Sequence, residues 1–331
     1  MASNEEKTYN VMFYGLGAIG SIYAFILSRC PNVRLTVVAR SNYEAVKKNG
    51  MKIISQNHGE HVFHPAHVIQ SPTEAPSEPY DYVVCSHKAI NQAAVASSLS
   101  SIISPSTTVV IIQNGVGNES PFRTQYPDTT ILSCVAWTGG IQSSPGVVHH
   151  TNSENLQIGI FVNVNLSIVV ENQRLVEFTD LLAKGGTPHE ILSPEELQEK
   201  RWEKCIWNCA WNCLTTLTRV HTHEWLESSP EAVIMTRRLM EEVSEVARRD
   251  GVKVREDLVE SLFKRIMGMP SIGTSMLTDA RCGRRLELDV ILGTPVRRGR
   301  ELGVKMEVAE VVYTLLIALD KGLESAGEAS D

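Results

Sequence analysis

Six residues near the start of the chain dictate more of its fold than any other segment. Gly15-Leu16-Gly17-Ala18-Ile19-Gly20 follows the apolar run 10–14 and opens an apolar stretch that continues through Phe25 and Leu27. A strand that enters such a turn and leaves it as a helix uses the first glycine for the tight reversal and the second for close approach of a pyrophosphate. The third allows helix-strand packing. The N–H groups at the helix start then face the phosphates of a dinucleotide. A glycine-rich turn with no ligand is the alternative, and the strand before it and helix after it argue against that reading.

Short runs rich in Val, Ile and Tyr at 10–14, 34–39, 80–85 and 107–112 alternate with helix-like stretches, the pattern of β-α units feeding a parallel sheet. Residues 51–69 read as strands and turns, and 134–160 adds strand-like pieces around Gly139, Gly140 and Pro145-Gly146. Lys184-Gly185-Gly186-Thr187-Pro188 then concentrates turn residues, and helical patterns dominate beyond it. Ser193 as N-cap, Pro194 in the first helical position and Glu195-Glu196 in the first turn open a helix reaching about Thr218. Further helices are expected over 230–249, 255–267, 285–303 and 308–321. The expected architecture is an α/β, doubly wound Rossmann-type domain over residues 1–190, followed by an all-α domain over residues 191–331. A chain of 331 residues ordinarily holds about two domains.

Composition narrows the function. With 43% hydrophobic and 21% charged residues the chain is globular rather than disordered. Its formal net charge of -7 disfavours general attraction to nucleic acid or to an anionic membrane, so any anion site must be local. No apolar stretch approaches the roughly 18 residues of a membrane helix, and residues 1–10 carry Glu5 and Glu6 without a leader pattern. A cytoplasmic protein is expected. Seven cysteines without paired spacing read as reduced thiols, and Cys205, Cys209 and Cys213 as small apolar packing on a helix rather than a metal or redox site.

Roughly twenty residues past Gly20 the second strand ends at Ala39-Arg40-Ser41-Asn42, where an NAD-binding chain ordinarily places Asp or Glu for the ribose hydroxyls. Arg40 instead offers a planar guanidinium suited to a 2′-phosphate, with Ser41 and Asn42 as added donors, so NADP is expected over NAD. Farther along, Lys204, Asn208 and Asn212 recur at i, i+4 and i+8 and share one helical stripe flanked by Trp207 and Trp211. Lysine is rarely buried without a partner, so the stripe reads as a pocket for a small polar ligand, with a solvated face as the alternative. Glu287, beyond the dense polar loop read over 274–281, would steady the ammonium if it faced Lys204.

Taken together, Gly15 to Gly20, Lys88, Gln113-Asn114-Gly115, Lys204 with Asn208 and Asn212, and Ser275-Met276-Leu277 with Glu287 twelve residues beyond Ser275 form an ordered set. Over residues 9–320 the chain resembles the ketopantoate reductase family. The resemblance implies a Rossmann domain, a helical C-terminal domain and NADPH-dependent reduction of 2-dehydropantoate to pantoate, with a possible homodimer as the assembly. It implies that Lys204 is the catalytic proton donor, that Glu287 acts with it, and that Asn208, Asn212 and Ser275 contact substrate. It also implies that Lys88 and Asn114 lie at the cofactor and active site. Two positions differ from the family's common pattern: Ile272 stands where many members place Asn, and Thr222-His223-Glu224-Trp225 replaces an Asn-Gly-Glu-Leu-like run. A related 2-oxo acid, or an NADP-binding sensor without turnover, are the alternatives.

His58, His61, His64 and His67 recur every third residue and invite a metal reading, which Gly59 and Pro65 argue against because no regular element would gather them on one face. No metal is expected.

Overall fold

The computed structural model describes residues 7–328, which form two compact units. One takes the chain up to Gln113 together with Asn118–Leu197, and the other takes Asn114–Gly117 and the chain from Gln198 onward.

The first unit opens with β1 (Tyr9–Tyr14), α1 (Ala18–Ser28), β2 (Val33–Val38) and α2 (Tyr43–Asn49). Then follow β3 (Met51–Ser55), β4 (Gly59–Phe63), β5 (His67–Ile69), β6 (Tyr82–Cys85), α3 (Gln92–Ser98), β7 (Thr108–Ile111) and α4 (Glu119–Gln125). It closes with β8 (Thr130–Ala136), β9 (Gly140–Ser144), β10 (Val147–His150), β11 (Leu156–Ile160), α5 (Ile168–Gly185) and β12 (His189–Ile191). Eight strands make the main sheet in the order β12-β11-β8-β7-β6-β1-β2-β5, parallel except where β11 meets β8. Because β2 and β6 flank β1 on opposite sides, the chain order reverses at β1, the place where an open α/β sheet binds ligands beyond its strand ends.

Burial on both faces explains the near-continuous apolar strands. Val11 and Phe13 enter the core shared with α1 and α5, whereas Met12, between them, enters the core of the opposite face. The same alternation places Val84 on one side and Val83 and Cys85 on the other. A second, four-stranded sheet runs β4-β3-β10-β9, and α1 contacts both sheets as well as α5. A helix covered from several directions must be apolar nearly all round, as the buried run from Gly20 to Leu27 is.

The turn-rich segment at 184–188 is the end of a helix that periodicity alone does not announce. Gly186 takes the left-handed conformation with φ 85° and caps α5, after which β12 adds an edge to the main sheet. Leu197 packs with Val135 and Leu192 in the first unit.

Next comes α6 (Pro194–Thr218), whose start is the expected capping box: Glu196 N–H donates to Ser193 Oγ, and Ser193 N–H to the Glu196 carboxylate. The second unit adds α7 (Thr222–Glu227), α8 (Pro230–Arg249), α9 (Leu258–Met267), α10 (Ser275–Arg281), α11 (Thr294–Glu301) and α12 (Glu307–Glu328). Helix α8 contacts α7, α9, α11 and α12. Gly299 lets α11 approach closely, since a Cβ there would meet Met306 Cγ at 2.8 Å and Val246 Cγ2 at 3.0 Å.

Two stretches differ from expectation: the polar loop read over 274–281 is α10, capped by Thr274, and the helix expected over 285–303 begins late. Residues 284–287 are not helical, and a π-helical turn over Asp289–Gly293 precedes α11. Asp320 of α12 is responsible: its carboxylate accepts from Leu286 N–H at 2.8 Å and from Arg285 Nε at 2.9 Å, which holds this stretch out of a helical ladder. Among the described residues no helix is long and apolar enough to cross a membrane.

Candidate functional site

Beyond β1 the glycine turn has the shape that an anion requires. Gly15 has φ 102°, and a Cβ there would lie 2.5 Å from the backbone of His87, so only glycine fits. A Cβ on Gly20 would strike the Gly15 carbonyl and Ser86, where Ser86 Oγ already donates to Gly15 O at 2.7 Å. Gly17 is different. Nothing lies within 4 Å of its missing Cβ, and it caps α1 without a side-chain hydrogen bond. Leu16 is buried beneath the turn, while Ala18 and Ile19 are partly exposed in the first helical turn. The open space and the uncapped helix start fit a dinucleotide pyrophosphate.

This contrast has a measurable consequence. Gly15→Ala should cost at least about 2 kcal/mol, from a left-handed φ and a backbone clash, and should lower the melting temperature. Gly17→Ala should melt as the wild type does yet bind a reduced nicotinamide dinucleotide at least about tenfold more weakly in a fluorescence titration, because its methyl occupies the approach to the backbone.

Arg40 and Ser41 are exposed after β2. Asn42 is differently placed. It is 3% exposed, and its Nδ2 donates to Leu16 O at 2.6 Å and Gln142 Oε1 at 3.0 Å. Its Oδ1 accepts from Gln142 Nε2 and Gly146 N. With every position used, Asn42 ties the glycine turn to β9 and is not the phosphate donor that its place in the sequence indicated. Lys88 is exposed in the loop after β6. That loop is held by an amide network in which Gln92 Nε2 donates to Gln113 Oε1 at 2.8 Å and Asn118 Oδ1 at 2.9 Å, and Gln113 Nε2 donates to His87 O at 2.8 Å. His87 thus serves the loop's structure, with its ring edge-on to Tyr14.

In the second unit, α6 carries the polar stripe. Asn208 and Asn212 are 6% and 5% exposed, and Trp211 packs edge-to-face against both Trp207 and Phe263. The stripe is therefore set in an apolar surround rather than on a solvated face. Asn208 Nδ2 is buried with no hydrogen-bond partner among the described residues, a donor set to meet a ligand oxygen. Thr215 Oγ1, one turn past Asn212, lies 2.9 Å from Thr274 Oγ1, and Thr274 caps α10 by accepting from Leu277 N–H. That bond fixes the helix whose first residue is the exposed Ser275.

Lys204 is the electrostatic centre of this unit. Burial pushes its ammonium down to about 7; the Arg201 and Arg265 charges act in the same direction, and the Glu287 carboxylate acts against them. Glu287 is 6% exposed. Arg201 was not anticipated. It is 3% exposed and donates from Nη1 to Gly115 O at 3.0 Å. Asn114, with Gly115 to Gly117, belongs to this same unit. The i, i+3 spacing to Lys204 is the one local signal that could have marked this arginine.

The four evenly spaced histidines separate. His61 Nε2 bonds the His58 carbonyl, His64 is exposed, and His67 lies 3.0 Å from Arg34. Instead, ligand atoms of His58, His150 and Glu154 lie within 4.8 Å of one another. Hydrogen bonds already engage all three residues. Ser55 Oγ accepts from Asn57 N and His58 N, so its own proton goes to His150 Nδ1, leaving the His150 proton on Nε2. Arg29 donates to His58 Nδ1, so His58 carries its proton on Nε2 and donates to Glu154 at 2.9 Å. Burial raises the proton affinity of Glu154, but Thr187, Asn57 and His58 together hold it below the usual carboxylate range. The cluster is a hydrogen-bonded clasp. None of the seven cysteines is in a disulfide, and Cys205 and Cys209 donate to Ile291 O at 3.3 and 2.8 Å.

The two departures at 222 and 272 bond each other: Thr222 N donates to Ile272 O at 3.2 Å, and Ile272 N to Thr222 Oγ1 at 3.1 Å.

Comparison with known proteins gives a consistent picture. Residues 11–163 match a family model described as "Ketopantoate reductase PanE/ApbA", and residues 196–320 match its C-terminal counterpart. A crystal structure of 2-dehydropantoate 2-reductase from Methylococcus capsulatus superposes with a TM-score of 0.80 at 30% identity, covering 95% of this chain and 97% of that one. A 2-dehydropantoate 2-reductase of a Nostoc species is 23% identical over 95% of this chain and 96% of its own. A ternary structure of D-mandelate dehydrogenase with NADH and anilino(oxo)acetate shares the fold, with a TM-score of 0.81 at 21% identity over 95% of this chain and 99% of that one.

Proposed function

The chain belongs to the ketopantoate reductase family, and from that premise we propose that it reduces a 2-oxo acid to the 2-hydroxy acid with NADPH, with 2-dehydropantoate as the leading substrate. The observation that carries this reading is Lys204, a lysine poised near neutrality by burial and by its charged neighbours beside an unpartnered amide donor. A reduced nicotinamide supplies hydride to the carbonyl carbon when bound. Lys204 then gives its proton to the carbonyl oxygen, so that no free alkoxide forms. Glu287 favours the charged form of Lys204 before transfer, and Asn208 Nδ2 donates to an oxygen of the substrate and fixes its orientation. Gly15, Leu16, Gly17, Ala18, Ile19 and Gly20 bind the pyrophosphate, Arg40 holds the 2′-phosphate, and Lys88 and Asn114 lie at the cofactor and active site. Asn212 and Ser275 complete the substrate contacts.

Another 2-oxo acid is a second reading. Its support is the Thr222–Ile272 pairing, which uses hydroxyl and backbone groups on each other where the family's common pattern offers side-chain amides. Also, a fold neighbour of different name, D-mandelate dehydrogenase, forms a ternary structure with NADH and anilino(oxo)acetate. A panel of 2-oxo acids, with NADPH consumption followed by absorbance, separates the readings. Fastest turnover on 2-dehydropantoate is expected. A higher kcat/KM for another acid moves the assignment to that substrate, and binding of NADPH without oxidation across the panel points to a sensor.

A further inference from the structure

Arg201 is a buried charge that the reaction as described does not use. It sits three residues ahead of Lys204 on α6 and reaches the carbonyl of Gly115. Gly115 is gripped from a second direction. Its φ is 90°, a Cβ there would run into the Val290 carbonyl group, and the neighbouring Val116 N–H donates to Val290 O at 2.9 Å. Val290 belongs to the π-helical turn, a type of turn that breaks the regular ladder and opens carbonyls to outside donors. The next carbonyl, Ile291, takes the thiols of Cys205 and Cys209 on α6. Four residues of loop are thus tied to the catalytic helix through one guanidinium and to the π turn through one amide.

We propose that Arg201 is a positioning residue for the reduction: it locks the 114–117 loop, and Asn114 with it, onto the helix that carries Lys204, and it presents a fixed positive charge to that lysine. This rests on the reading of Lys204 as the proton donor and deepens it. Three charged groups act on Lys204, each from a different place: Arg201 on the same helix, Arg265 on α9, and Glu287 in the segment before the π turn. The arginines oppose the ammonium and the carboxylate supports it. With burial, the outcome is an acid matched to neutral pH, where proton transfer is most effective. Arginine suits both roles because its charge is permanent and its donors are fixed in a planar fork.

Two variants separate these roles. Arg201→Gln removes the charge and keeps a donor for the Gly115 carbonyl, whereas Arg201→Lys keeps the charge and loses the fork. Each is compared with wild type by the pH profile of kcat/KM for the 2-oxo acid at saturating NADPH. Each is also compared by acetylation of the Lys204 amine with acetic anhydride across pH, read by peptide mass spectrometry. Arg201→Gln should move both the alkaline limb and the labelling midpoint upward by about half to one pH unit, since a like charge has been removed. Arg201→Lys should leave the midpoint in place and lower kcat about tenfold through the loosened loop. An unmoved midpoint in Arg201→Gln, or full kcat in Arg201→Lys, overturns the corresponding half of the proposal. The labelling needs no turnover, so a wild type that reduces no 2-oxo acid defeats the reductase reading while the midpoints still decide the role of Arg201.

Discussion

Lys204→Ala is expected to lower kcat for 2-oxo acid reduction by about a hundred- to ten-thousand-fold, the usual contribution of a positioned general acid. NADPH affinity should stay as in the wild type, because the glycine turn and Arg40 belong to the first compact unit and Lys204 to the second. Folding should not suffer. The folded protein holds this lysine at about 7 against an ordinary 10.5, so below pH 7 burying the ammonium costs stability in full. That cost fades as pH rises from about 7 toward 10.5. Alanine removes the cost altogether, so the variant should melt no lower than wild type near neutral pH. Fluorescence titration with NADPH and absorbance assays of its oxidation report the two properties separately. A variant with near-full kcat would contradict the assignment.

Arg40→Ala is expected to weaken NADPH by about ten- to a hundredfold while changing NADH little, since a guanidinium on a phosphate makes charge-assisted, paired hydrogen bonds that NADH cannot match. The residue is exposed after β2, and neighbouring Asn42 is fully engaged with Leu16, Gln142 and Gly146, so no adjacent amide replaces the lost contact. Equal losses for the two nucleotides would mean that Arg40 does not read the 2′-phosphate.

What was legible in the sequence was mostly local. The strand, glycine turn and helix sit within some twenty consecutive residues, and Gly15 and Gly20 are required by contacts inside that stretch or with the adjacent β6 loop. Helix α6 was legible to both ends because its cap, proline and acidic first turn are consecutive. What escaped depends on distant partners. Arg285 to Glu287 have a helical pattern, but Asp320 on α12 captures Arg285 and Leu286 and delays the helix to Leu288. Asn42 was misread because Gln142, the residue that claims it, is 100 positions away. His58 finds Glu154 rather than its evenly spaced neighbours for the same reason, at a separation of 96. Helix α5 hid behind exposed Ile168, Val169, Val170 and Val176, which blur the amphipathic pattern. In the second unit, the Lys204 stripe was visible as helical spacing, whereas the arginine that shares its environment bonds a loop residue 86 positions earlier in the chain.

The central claim, that Lys204 delivers the proton, is tested most directly by the pH dependence of kcat/KM for the 2-oxo acid at saturating NADPH. Because the protonated amine is the active form and kcat/KM reports the enzyme before the acid binds, kcat/KM should hold constant at acid pH and fall about tenfold per pH unit above an inflection near pH 7, set by the lysine that burial pushes down to about 7. A kcat/KM that stays flat through about pH 9, as an unperturbed lysine would allow, would contradict it.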